Sequence, residues 1–369
     1  MKKGYYIHFN ARDTVGVSKK IDMQLTSFRK YYTMSEIDIK MSTKSKIKNA
    51  LAVFPFFCIK WDYSKAYQDI IDPDFIYIRR ASGDRKHYIF LKYIKEKYPN
   101  CKIIVEIPTY PFWRESLQSI MGVMLIKDYY NYWTRLNKYI DRIVTYSSDE
   151  KIFGIETICV KNGINVCEVN TIKECVEYDE SKLNILAVAV LKPHHGYERL
   201  FQGLSFYYKN GGTRDILVRI VGEGPEKEYY EKLVDELQLQ EHVCFMGAQY
   251  GESLQRIYDV SDIAVSALGF YKDGVTKSSA LKVREYLAEG LPVISGARED
   301  AFDDTDGKYC VQFPNDSSMI DIEKVVCFYD QLRIGKTRMQ LAQDIRNMAY
   351  KTIDNEITLE PIRKYIEEV

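Results

Sequence analysis

The chain has no excess charge of either sign: 52 Lys and Arg offset 52 Asp and Glu over 369 residues. A globally basic surface that tracks a phosphate backbone is thereby excluded, and nucleic acid is not an expected partner. It also lacks any C-x-x-C pair. The eight cysteines are scattered, and the nearest neighbours (Cys159, Cys167, Cys175) are eight residues apart. That spacing argues for reduced thiols and against a zinc site. No apolar run approaches the ~18 residues a membrane span needs. The opening MKKGYYIHFNARD has lysines but no long apolar stretch, so no signal peptide is expected and the expected location is the cytoplasm. What is present is globular composition, 46% hydrophobic and 28% charged, in a chain long enough for two ordinary domains.

Short apolar runs alternate with amphipathic segments, the pattern of an α/β fold. Residues 4–10 read as the opening strand. A loop with Gly16 and a helix over 18–31 follow, Ser18 being the N-cap and Gly16 permitting a close backbone approach. Strands are expected at 74–79 and 102–107, with a helix over 85–98 between them. The second of these strands runs into EIPTYPFWRE, a loop stiffened by two prolines at the end of a strand where open α/β sheets bind ligands. Glu106, Thr109, Tyr110 and Arg114 are the candidates there, although Glu106 also suits a purely structural carboxylate. A helix over 129–139, a strand over 142–146 and a short helix then lead to Asn162-Gly163, a turn signal. After a polar stretch the alternation restarts. A strand over 183–190 precedes the loop KPHHGYERL, and a strand over 216–221 ends in GEGPE. A further strand ends in FMG before AQYGES.

One stretch near the amino terminus stands out by charge. Residues 1–60 hold twelve Lys or Arg against four Asp or Glu, and Lys40, Lys44, Lys46 and Lys48 precede the apolar run 51–57. Such a segment can lie on an anionic bilayer. It also reads as a solvated helix face before a buried segment.

The most informative stretch is 273–296, DGVTKSSALKVREYLAEGLPVISG. A polar loop feeds an amphipathic helix that carries Lys282, Arg284, Glu285 and Glu289, and Gly290 ends the helix before an apolar strand. Free N–H groups and the helix dipole at such a helix start suit an anion. Glu285, two turns in, could reach neutral hydroxyls beyond a phosphate. The same pattern also fits an ordinary loop, helix and strand.

The order loop, helix, E-Y-L-A-E-G-L-P-V-I resembles the donor-site segment of the retaining GT-B glycosyltransferases of family 4 (glycosyltransferase group 1). The resemblance implies a GT-B fold, two Rossmann-like α/β/α domains facing each other across a cleft. It covers most of the chain and is strongest from 183 to 316. The implied organisation is an acceptor-side domain over 1–167, a linker over 168–182, a donor-binding domain over 183–345, and a helical segment over 346–369 that crosses back. Asn162, Gly163, Ile164 and Asn165 match the phrase that closes the first domain in that family.

By the same resemblance, Glu285 would hold the ribose hydroxyls, and backbone at Ser278, Ser279, Ala280 and Leu281 would cradle the diphosphate. Gly222, Glu223 and Gly224 would face the phosphates, and Met246 and Tyr250 the base. Gly16 is the donor-binding candidate of the first domain. The chain departs from the family at three positions. Lys277 stands where the family has a glutamate, and Val190 and His195 stand where it has an arginine and a lysine. Lys192, His194 and His195 keep the loop after the 183–190 strand cationic or proton-donating, and Lys277 is a candidate for the missing positive charge. Glu106, His195 and Lys277 are the catalytic candidates. Asp304-Thr305-Asp306 reads as an acidic turn rather than a metal-binding string, and no metal or cofactor is expected.

The implied activity is transfer of a sugar from a nucleotide donor, UDP-linked, to a glycan or lipid-linked glycan with retention, in cell-surface polysaccharide or glycoconjugate synthesis. Peripheral contact with an anionic membrane is expected through the basic amino-terminal region. Two alternatives share the fold: a nucleotide-sugar 2-epimerase and a non-catalytic nucleotide-sugar-binding subunit.

Overall fold

The computed structural model describes residues 1–11, 15–42, 61–80, 84–108, 110 and 122–368. Two α/β units emerge, Met1–Val160 with Thr358–Val369, and Lys161–Ile357.

The first unit is built on β1 (Lys3–Phe9), β2 (Thr33–Ile39), β3 (Phe75–Arg79), β4 (Lys102–Ile107), β5 (Arg142–Thr145), β6 (Lys151–Ile152) and β7 (Ile155–Cys159), in the order β2-β1-β3-β4-β5-β7-β6. All pairings are parallel except β6 with β7. A parallel sheet covered on both faces needs apolar residues at successive positions, which explains runs such as FIYI and KIIVEI. Neighbouring side chains then serve opposite faces. Ile7, Ile76, Ile78, Ile103 and Val105 pack with Phe90, Leu91 and Ile94 of the helix Arg85–Lys97. Tyr6, Tyr77, Ile104 and Val144 pack with Ile21, Leu25 and Phe28 of the helix Val15–Arg29. The second cluster also takes Ile362 and Ile366, so the helix Glu360–Glu367 belongs to the first unit. Lys102 closes that helix's last turn by donating to the carbonyls of Tyr365 (2.7 Å) and Glu368 (2.6 Å).

Three elements differ from expectation. β2 is an extra strand. As the sheet's edge it buries few positions, so TMSEIDI carries little apolar signal. The short helix expected after Ser148 is a hairpin of β6 and β7, turned by Phe153 and Gly154 at φ 55° and 77°. Two consecutive positive φ values suit a two-residue hairpin loop, and here a phenylalanine occupies the unfavourable position. The helix expected over 129–139 runs from Gly122 to Thr134, because Arg135 at φ −134° leaves the helical path.

The second unit contains β8 (Lys182–Val188), β9 (Asp215–Val221), β10 (Val243–Gly247), β11 (Ile263–Val265), β13 (Val293–Ser295) and β15 (Cys310–Gln312), parallel throughout in the order β10-β9-β8-β11-β13-β15. A separate two-stranded ladder joins β12 (Lys277–Ser278) to β14 (Arg298–Glu299). Counted within the unit, the order is 3-2-1-4-5-6. It reverses direction between β8 and β11, and in such sheets the crevice outside the strand ends at that reversal is where ligands bind.

The polar stretch over 168–182 lies inside this unit. Arg346 fastens its start, donating to the carbonyls of Val166 (2.8 Å), Val169 (2.7 Å) and Asn170 (3.2 Å). Asp304-Thr305-Asp306 forms a turn before β15, with Lys308 N–H donating to Asp306 (3.0 Å) and Lys161 paired with Asp304. Among the described residues no helix is long and apolar enough to cross a membrane. Lys44, Lys46, Lys48 and the run 51–57 lie outside the described residues. Lys40 is exposed and pairs with Asp38.

Candidate functional site

The two loops flanking the reversal are bonded to each other. After β8 the chain passes through a single 3-10 turn, Pro193–His195, and reaches Gly196 at φ 61°. Leu268 N–H donates to the His195 carbonyl (2.8 Å), and Gly269 N–H to that of His194 (3.1 Å). A Cβ on Gly196 would stand 2.4 Å from the Gly269 nitrogen, so no other residue fits. The GEGPE loop after β9 lies against the same stretch. Leu191 N–H donates to the Glu223 carbonyl (2.9 Å), and a Cβ on Gly222 would meet the Ala189 oxygen at 1.8 Å. Gly222 N–H in turn donates to the Gly247 carbonyl (2.8 Å), which brings the loop after β10 alongside. A short motif that is weak in sequence is thus a backbone-to-backbone contact in space.

His195 is buried, and its Nδ1 accepts from the Lys192 N–H at 3.1 Å. Nδ1 must therefore be unprotonated, which leaves the proton of the neutral ring on Nε2. Burial pushes its pKa down to about 2, and the nearby Lys282 acts in the same direction. Burial and the Lys192 N–H therefore both favour the neutral ring over an imidazolium. His195 is a neutral donor. His194 is partly exposed, lies 3.2 Å from Asp273, and is also lowered by burial.

The helix Leu281–Glu289 enters from the other side, and a buried clamp sets its start. Arg284 donates to the carbonyls of Asn162 (3.0 Å) and Ala280 (3.2 Å) and forms a buried pair with Asp300. Asn162 Nδ2 donates to the Ser279 carbonyl (2.8 Å). Asn162 of the N-G-I-N turn thus holds the loop before the helix, within the second unit. Tyr286 ties the helix to β8, its hydroxyl accepting from Val188 N–H at 2.9 Å. The first N–H groups of the helix have no intrahelical acceptors, a ready anion site beside the Pro193–His195 turn. Glu285 lies one turn further, partly exposed.

Lys282, in the first turn of that helix, stands out in sequence only as part of its polar face. The structure brings it to the site. Its ammonium is 3.4 Å from the Tyr197 hydroxyl and 5.9 Å from the ring centre, and the His195 ring is 5.6 Å from the same ring. Burial pushes the Lys282 pKa down to about 7, against the pull of Glu299. The signal available in sequence was a lysine one turn before Glu285.

The remaining candidates are placed as follows. Lys277 is paired with Asp303 at 2.8 Å, and Arg298 binds the same carboxylate at 2.8 Å. Lys277 thus already faces a carboxylate at the surface. Lys192 is exposed on the turn. Glu223 pairs with Lys227 (2.8 Å), while Met246, near the end of β10, and Tyr250, on the loop after it, are exposed. Ser278 is buried in the small ladder.

In the first unit, Glu106 is fully buried. It accepts from Arg79 (2.6 Å), Tyr77 (2.6 Å), Gln24 (3.0 Å) and Tyr146 (3.3 Å). Burial alone would raise its pKa, but Arg79, Lys20 and these donors prevail and hold the carboxyl below its usual range. All four of these partners are side chains, as suits a structural carboxylate. Tyr110 shares a hydrogen bond with Tyr129 (2.9 Å), and Gly16 is exposed in the first helical turn. Thr109 and Arg114 lie outside the described residues.

Residues 169–321 match the family model described as Glycosyl transferases group 1. No curated protein matches the chain. Solved structures match over nearly its whole length. One is a glycosyltransferase from Rickettsia africae ESF-5, 14% identical with a TM-score of 0.63 over 99% of this chain and 98% of that one. HepE of Anabaena, solved in complex with UDP, is 13% identical with a TM-score of 0.64 over 100% of both chains. A sucrose-phosphate synthase from Thermosynechococcus elongatus is 13% identical with a TM-score of 0.64, covering 99% and 98%. At these identities the likeness is one of fold. That fold is GT-B, with two α/β units on largely parallel sheets.

Proposed function

We propose that this chain is a glycosyltransferase that moves a sugar from a UDP-linked donor to a glycan or lipid-linked glycan acceptor, with retention of configuration and without a metal. One observation carries the reading. At the strand reversal of the second sheet, a glycine-built backbone contact, a neutral imidazole donor and the start of the helix carrying Glu285 converge. The family match falls on the same residues, and HepE, of like fold, was solved with UDP.

In this reading the donor diphosphate meets the free N–H groups of Leu281 and Lys282, the backbone of Gly222 to Gly224, and the Nε2–H of His195. Glu285 takes the ribose hydroxyls, and Met246 and Tyr250 flank the base. As the sugar–oxygen bond breaks, negative charge builds on the departing diphosphate. Donors fixed in place beforehand stabilise that charge without reorganising, so the site needs no metal. No carboxylate nucleophile is assigned, and the acceptor attacks from the face the diphosphate leaves. Glu106 is an internal anchor of the acceptor-side unit rather than a reacting group. A lipid-linked acceptor would draw the protein to an anionic membrane surface.

The test is release of UDP from a panel of UDP-sugars, in EDTA, with and without glycan and lipid-linked acceptors. Acceptor-dependent release with an α-configured product from an α-configured donor is expected. Conversion of the donor sugar without any acceptor would instead identify an epimerase, and binding with no turnover under every condition a non-catalytic subunit.

A further inference from the structure

We propose that Lys282 is the cation that meets the diphosphate of the nucleotide donor, an assignment that rests on the function proposed above.

Most of the neighbouring cations are already committed. Lys272 is held by Glu198 (2.6 Å) and the Pro193 carbonyl (3.0 Å). Lys277 and Arg298 share Asp303, and Arg284 is closed on Asp300. Arg199 is buried and gives its donors to the carbonyls of Leu268, Pro314 and Ser318. Lys192 is exposed on the surface of its turn. Lys282 differs from the paired cations in having no counter-ion, and from Lys192 in being taken partly out of water. Among the described residues its ammonium makes no ion pair, and its one hydrogen bond is the long contact to the Tyr197 hydroxyl (3.4 Å).

An ammonium taken partly out of water and left without a counter-ion is costly, and an arriving dianion relieves that cost. The groups acting on Lys282 are Glu299 from β14, and Tyr197, His194 and His195 from the loop after β8. Glu299 does not neutralise it. One of its oxygens accepts from Ser266 (2.6 Å) and Ser295 (3.1 Å), and the other is buried without a partner. Tyr197, which touches both Lys282 and His195, places the cation and the neutral donor at one ring. The first-turn N–H groups of the same helix complete a site for an anion with more than one oxygen.

Proton linkage follows. In the free protein Lys282 loses its proton near pH 7, and a bound diphosphate raises its pKa. Affinity is therefore full below about pH 7 and falls as pH rises through the window between the free and bound values. Arginine keeps its proton throughout and would flatten the slope.

The experiment is calorimetric titration of the full chain with UDP and with uridine, at pH 6.5 and pH 8.5. The proteins are wild type, Lys282→Met and Lys282→Arg. Lys282→Met is expected to weaken UDP by about 10- to 100-fold, the range of a charge-assisted contact, and to leave uridine unchanged. Lys282→Arg should keep UDP binding while losing its pH dependence. If wild type binds UDP and folded Lys282→Met binds it equally well, the assignment is overturned and the glycosyltransferase reading stands. Should Lys282→Met fail to fold, a pH dependence in Lys282→Arg equal to wild type overturns it. If wild type binds no UDP, the underlying reading itself fails.

Discussion

Replacing Arg284 with methionine removes the centre of the clamp that sets the helix Leu281–Glu289. Arg284 is fully buried, and Asp300, its partner, is 3% exposed. The substitution strands that carboxylate in the interior and also removes donors from the carbonyls of Asn162 (3.0 Å) and Ala280 (3.2 Å). Breaking a buried pair from one side costs about 3–5 kcal/mol, because the surviving charge stays desolvated. For a unit of this size 1 kcal/mol moves Tm by about 2–4 °C, so a fall of about 6–20 °C is expected by calorimetry. The double variant Arg284→Met/Asp300→Leu removes the stranded charge and should recover a large part of that loss. The two variants part company on function. In both, the bonds from Arg284 to the Asn162 and Ala280 carbonyls are gone and the helix start loses its anchor, so UDP affinity should stay low even where stability returns. A single-variant Tm within 2 °C of wild type would refute the clamp, as would a double variant no more stable than the single.

Two further substitutions test neighbouring parts of the structure. Gly196→Ala forces a side chain into positive φ and against the Gly269 backbone, so both UDP affinity and stability should fall, by more than about 2 kcal/mol in urea unfolding. Burial pushes the Glu289 pKa up to about 7, opposed by the Gln255 hydrogen bond (3.0 Å) and reinforced by Asp259. Between the ordinary glutamate value of ~4.3 and about 7, the folded state holds a proton the unfolded chain has lost. Stability should therefore decline as pH rises through that window, and Glu289→Gln should flatten the decline in Tm-against-pH profiles.

Much of this arrangement is legible in the sequence because it is local. The apolar runs of β1, β3, β4, β8 and β9 advertise strands buried on both faces, and Gly290 marks the end of its helix. Gly222, Gly224 and Gly196 mark turns, although only the structure shows that they pack the loops after β8, β9 and β11 together. What the sequence obscured is set by distant partners. The edge strand β2 buries only two of its seven positions and so lacks an apolar signature. Lys277 and Lys282 are five residues apart and chemically identical in a string of letters. Asp303 claims the first, and Tyr197, 85 residues upstream of the second, helps take it out of water. Glu106 looked like an acceptor-facing acid because it ends a strand beside a stiff loop. Four side-chain donors from Gln24, Tyr77, Arg79 and Tyr146 close it off.

The central claim is that the strand reversal of the second unit is a nucleotide-diphosphate site. It is tested most directly by calorimetric titration with UDP, GDP, ADP and dTDP, with and without Mg²⁺, on wild type and Glu285→Ala. Selective UDP binding, indifferent to Mg²⁺ and weakened by Glu285→Ala, is expected. Binding of none of the four nucleotides, or UDP binding untouched by Glu285→Ala, would contradict it.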